Sequence, residues 1–122
     1  MPPLAERTVW ILNHYAQTPD APGGTRHYWL ARHLRSRGWA APVLAASLEL
    51  NTGRQRLGPG EALRRDEVRG VTFLWLRTPP YRGNGLGRIR NMWAYARRAQ
   101  EPAAARQLPR PDAVIGSSVH PL

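Results

Sequence analysis

The chain has 122 residues, 18 basic against 8 acidic for a formal charge of +10, with 42% hydrophobic and 21% charged residues. That size and balance suit one globular domain with one core, and exclude a disordered chain or two nucleotide-fold domains. Cysteine is absent, which removes disulfides, thiol nucleophiles and cysteine-ligated metals.

Every basic residue is arginine. A phosphate-tracking surface gains little from excluding lysine, so the charge reads in part as a coding bias, and nucleic acid is not the expected partner. An anionic partner is still favoured by long-range attraction. No stretch approaches the ~20 apolar residues of a membrane span. Residues 1–7 lack the apolar centre of a signal peptide. A cytoplasmic location is therefore expected.

Val9-Trp10-Ile11-Leu12 is an unbroken apolar run, the habit of a parallel strand covered on both faces. A loop from Asn13 to Gly24 follows, broken by Pro19, Pro22, Gly23 and Gly24. His27, Leu30, Ala31 and Leu34 then fall on one helical stripe, so a helix is expected over Thr25–Arg37, capped by Thr25 and stopped by Gly38. Ala40–Ala46 reads as a second strand that pairs properly only beyond Pro42.

Ser47–Gly70 reads as a long polar stretch with a weakly amphipathic helix at Glu61–Glu67. Val71–Leu76 is the third strand. A second helix is expected over Gly87–Gln100, its buried stripe formed by Ile89, Met92, Trp93, Ala96 and Gln100. Ala113–Gly116 is the fourth strand.

Strand, helix, strand, strand, helix, strand predicts an α/β fold: a partial Rossmann-like parallel sheet of about four strands, order 3-2-1-4, with helices on both faces. Strands one and four then flank a topological switch point, where such sheets bind ligands. The fourth strand is left with a bare edge, which points to the front piece of a larger protein.

Three candidate sites cluster around that geometry. Gly23-Gly24 precedes a helix amino-terminus, a backbone suited to phosphate; a plain turn between strand and helix also favours glycine. Gly83-Asn84-Gly85-Leu86-Gly87, with Arg77, Tyr81, Arg82, Arg88 and Arg90, forms an arginine and aromatic cluster able to grip a diphosphate, or a solvated basic loop. His120, just past strand four, could orient or deprotonate a hydroxyl, although no acid or nucleophile stands beside it in sequence. No ligand spacing supports a metal site. Neither dinucleotide nor P-loop fingerprints occur.

Trp10-Ile11-Leu12-Asn13-His14-Tyr15, Pro22-Gly23-Gly24-Thr25-Arg26-His27-Tyr28 and Leu30-Ala31-Arg32-His33-Leu34 together resemble the opening of family 4 glycosyltransferases. Thr78-Pro79-Pro80-Tyr81-Arg82-Gly83-Asn84-Gly85, and Pro111–Ser118 with His120-Pro121-Leu122, resemble the branch that handles surface-polysaccharide amino sugars. The likeness spans the chain except Ser47–Glu67. Trp39-Ala40-Ala41-Pro42 departs from it, since the family usually has a histidine and an acid there.

The resemblance implies residues 1–122 of a GT-B enzyme: an incomplete N-terminal acceptor domain without the donor domain, its paired glutamates or its phosphate-binding cations. By the same resemblance, Gly23 and Gly24 approach the donor diphosphate and His120 the reacting sugar, as the catalytic candidate. Arg82, Asn84 and Arg88 are acceptor-binding candidates. The implied partners are a nucleotide-sugar donor, a lipid-linked saccharide acceptor and the inner face of a membrane, with no cofactor and no metal. A chain with these residues alone is expected not to turn over. The competing expectation is a basic nucleic-acid or membrane-surface binding module.

Overall fold

The computed structural model describes residues 7–13, 16, 18, 25–48, 55–78 and 86–117. It is a mixed α/β fold with a mostly parallel sheet. In chain order the elements are β1 (Arg7–Asn13), α1 (Arg26–Ser36), β2 (Trp39–Ala40), β3 (Val43–Ala46), β4 (Leu63–Val68), β5 (Val71–Leu76), α2 (Leu86–Ala99), α3 (Pro102–Gln107) and β6 (Ala113–Ser117).

β1 is flanked by parallel partners: β3 on one side, through Ile11↔Val43 and Leu12↔Leu44, and β6 on the other, from Val9↔Ala113 to Asn13↔Ser117. β3 pairs in parallel with β5, and β4 closes that side antiparallel to β5. The sheet thus holds more strands than the four expected. Ala40–Ala46 is two strands, because Pro42 has no N–H for the ladder. Trp39 and Ala40 pair with Arg7 and Thr8, and the Pro42 carbonyl accepts the Ile11 N–H at 2.9 Å.

The helix expected at Glu61–Glu67 is instead β4. It forms a hairpin with β5 through the two-residue turn Arg69-Gly70, both at positive φ (48° and 84°). Such turns match the twist of the flanking strands, and glycine takes the second position without strain.

Neighbouring residues of each strand point to opposite faces, so two cores form. Ile11, Val43, Ala45, Phe73 and Trp75 pack with Tyr28 and Ala31 of α1. Trp10, Leu44, Leu74 and Leu76 pack with Tyr95 and Ala99 of α2 and Ala104 of α3. α1 ends where Gly38, at φ +90°, takes the left-handed conformation expected of it. Thr25 stands at its amino end, but its side chain makes no capping hydrogen bond.

α2 reverses its expected orientation. Asn91, Tyr95 and Ala99 are its buried residues, whereas Ile89 and Trp93 are exposed. Helical periodicity identifies stripes, and here the more polar stripe faces the sheet because Tyr95 reaches the backbone of β3.

Candidate functional site

β1, β3, β5 and β6 run parallel and end on one rim of the sheet. The helices that follow β1 and β5 begin on the same side, so this rim collects strand ends and helix amino-termini. A small polar residue closes each of three apolar runs: Asn13 ends β1, Ser47 follows β3, and Thr78 lies two residues past β5. All three are almost wholly buried, as is Asn91 in the second turn of α2.

Ser47 ties the ends of β3 and β5 together. Its N–H donates to the Leu76 carbonyl (2.8 Å), its Oγ accepts from the Thr78 N–H (3.2 Å), and its carbonyl accepts from the Arg56 N–H (3.1 Å). Gln55 bridges Leu48 and donates from Nε2 to the Thr78 carbonyl (3.2 Å). Thr78 Oγ1 is buried with no hydrogen-bond partner among the described residues. A buried hydroxyl left unsatisfied costs about 1–3 kcal/mol, which makes it a place where a ligand's polar group would be welcomed.

The remaining rim groups divide into charged and neutral. The Arg56 guanidinium stacks over the Trp75 ring at 4.2 Å, and the Trp75 indole N–H donates to Asp66 Oδ2 (2.9 Å). The first turn of α1 contains no acid, so the helix dipole there favours an anion. His27 is held below its usual pKa by burial and, secondarily, by the Arg26 charge, which keeps it neutral. Tyr95 donates its O–H to the Leu44 carbonyl (2.6 Å), and burial pushes its pKa far up. That hydroxyl is structural and takes no part in proton transfer.

Of the residues expected to form the site, Gly23, Gly24, Arg82, Asn84 and His120 lie outside the described residues. Arg88 falls in the first turn of α2. Thr25 immediately follows the glycine pair, and the strand ends Asn13 and Ser117 are register partners. Ser47, Thr78 and Asn91 were not anticipated from sequence. For the first two the signal was available: a small polar residue at the end of an apolar strand run.

A hollow of about 160 Å³ lies at the opposite rim, among Arg35, Pro42, Arg65, Val71 and Leu108. Its arginines are engaged with backbone carbonyls: Arg35 donates to Gly70 (2.8 Å) and Arg65 to Gln107 (2.9 Å). It lies at the amino ends of the strands, away from the polar rim. Among the described residues no group of three or more His, Cys, Asp or Glu could hold a metal ion, and no helix is long and apolar enough to cross a membrane.

Comparison with protein-family models, curated proteins and solved structures returns no match to this chain.

Proposed function

We propose that the chain is part of the N-terminal, acceptor-side domain of a two-domain GT-B glycosyltransferase, an enzyme class that moves a sugar from a nucleotide-sugar to a lipid-linked saccharide in surface-polysaccharide synthesis. The observation that carries this reading is the rim: β1 between two parallel partners, with buried polar groups at the strand ends. Asn13, Thr78 and Ser117 of that rim fall in the motifs that resemble family 4 enzymes. On this reading β5, β3, β1 and β6 are the Rossmann-like order 3-2-1-4.

Gly23 and Gly24 let the donor diphosphate approach the amino end of α1. His120 holds a hydroxyl of the reacting sugar or its proton. Arg82, Asn84 and Arg88 grip the acceptor's phosphate end, while Thr78 Oγ1 takes a saccharide hydroxyl. Expulsion of the diphosphate needs further charges positioned against it, which the reading assigns to a donor domain.

A water-soluble, short-chain analogue of a diphosphate-linked saccharide tests the proposal by calorimetric titration. Saturable binding that weakens at least about tenfold in an Arg82→Gln/Asn84→Ala variant is expected, as for loss of charge-assisted hydrogen bonds. Labelled nucleotide-sugars should give no transfer with the chain alone, and robust transfer would overturn the half-enzyme assignment. Absence of acceptor binding, together with steeply salt-dependent binding to duplex DNA, would replace it with a basic nucleic-acid module.

A further inference from the structure

The buried side of α2 is complete without the large apolar residues of the helix: Tyr95 and Ala99 fill the core against Trp10, Leu44, Leu74 and Leu76. Leu86, Ile89 and Trp93 instead face outward, at 81%, 51% and 73% exposure. At 3.6 residues per turn these three lie within about 60° of arc, and exposed Ala96 extends the stripe by a turn. Large apolar side chains aligned on one outward stripe mark an interaction surface.

Charge indicates what covers it. Exposed Arg90 and Arg97 run along one margin of the stripe. Residues 86–107 contain five arginines and one acid, Glu101, which is engaged with Arg98 at 3.3 Å. An apolar protein groove would satisfy the stripe but leave the positive margin, which has no ion pair among the described residues, without a counter-charge. A phosphate-bearing lipid surface satisfies both. Guanidinium groups bind phosphates in bidentate fashion, tryptophan settles at the level of the headgroups, and the chain's +10 charge adds long-range attraction.

We propose that α2 docks this protein on an anionic lipid bilayer. The helix lies in the plane of the interface, with Leu86, Ile89 and Trp93 at the acyl boundary and Arg90 and Arg97 on lipid phosphates. Because α2 starts on the side where β5 ends and its other face packs on the sheet, docking leaves the polar rim opening parallel to the bilayer, with the helix between sheet and lipid. The proposal does not depend on the transferase reading, since vesicle binding needs neither sugar nor donor.

The test is flotation of the full chain with vesicles of phosphatidylcholine alone, or containing one-quarter phosphatidylglycerol. Binding to the anionic vesicles only is expected. Ile89→Ser/Trp93→Ser should reduce it at least about tenfold, since two apolar anchors are lost. Arg90→Gln and Arg97→Gln should each weaken it about fivefold. Unchanged circular dichroism and urea midpoint establish that the variants are folded. Three results would overturn the proposal: no binding to anionic vesicles; equal binding by the Ile89→Ser/Trp93→Ser variant; or a concentration-dependent dimer abolished by that variant, which would assign the face to a second copy.

Discussion

The two edges of the sheet are finished in opposite ways. On one side β5 is covered by β4, whose sequence Leu63-Arg64-Arg65-Asp66-Glu67-Val68 places charge along the edge. Arg64 and Glu61 form an ion pair there, and Arg77 donates to the Gly58 and Glu61 carbonyls at 3.0 Å. The Arg64 hydrogen bond, aided by the Gly58 N–H, holds the Glu61 carboxyl below its ordinary pKa. On the other side β6 pairs only with β1 among the described strands, and both Val114 and Ile115 are exposed although they point to opposite faces. A charged edge resists pairing with other chains, and a bare apolar edge invites it. Among the described residues the β4 side is thus a charged edge and the β6 side an apolar, exposed one.

This contrast can be tested by substitution. Phe73 is fully buried and stacks on Trp75 with ring centroids 5.0 Å apart. Phe73→Ala should cost about 3–5 kcal/mol in urea unfolding, whereas Ile115→Ala should cost less than about 1 kcal/mol. Similar losses at both sites would show that β6 is covered. Next in size is Asp112, whose carboxylate accepts the Thr8 N–H at 2.8 Å while its own N–H donates to the Thr8 carbonyl at 2.7 Å. Asp112→Ala should cost about 1–2 kcal/mol and speed amide exchange along β6 ahead of β5.

Smaller still, Ser47→Ala should cost about 1 kcal/mol by orphaning the Thr78 N–H. Thr78→Val, which removes a buried hydroxyl that has no partner among the described residues, should raise stability by about 1 kcal/mol yet weaken saccharide binding. The last effect is one of pH. The folded-state pKa of His27 lies below the ordinary 6.5, so the unfolded chain binds the extra proton. Its contribution is complete above pH 6.5 and is lost as pH falls from there through the folded value. His27→Gln should flatten the urea midpoint across that interval; an unchanged slope would show that His27 is not the group responsible.

The runs at Val9–Leu12 and Val71–Leu76 were legible because burial on both faces leaves a direct mark in sequence, and Ala113–Gly116 was legible from its apolar run although its residues are exposed. The α1 stripe and its Gly38 stop were legible from periodicity at His27 and Ala31, but Tyr28 is buried where Leu30 was expected to be. β4 was not: its charges hide strand alternation, and the better signal was the turn Arg69-Gly70 between Val68 and Val71. Nor does periodicity say which of two stripes faces inward, so α2 reads equally well with Ile89 and Trp93 buried. Only the reach of the Tyr95 hydroxyl to Leu44 decides the matter. Small polar residues at the ends of apolar runs were visible at Ser47 and Thr78, but the hydrogen bond between them depends on β3 and β5 being neighbours, which local pattern does not record.

The clamp between Thr8 and Asp112 joins residues 104 positions apart. During synthesis β1 emerges early and its β6-facing side stays open until β6 follows, roughly 5–20 s at a ribosomal pace of about 5–20 residues per second. For that interval the nascent chain can pair β1 with β2 and β3 but leaves its other edge without a partner strand. Chaperone demand should therefore fall on the waiting first strand, and a circular permutant that places β6 directly before β1 should shorten the wait.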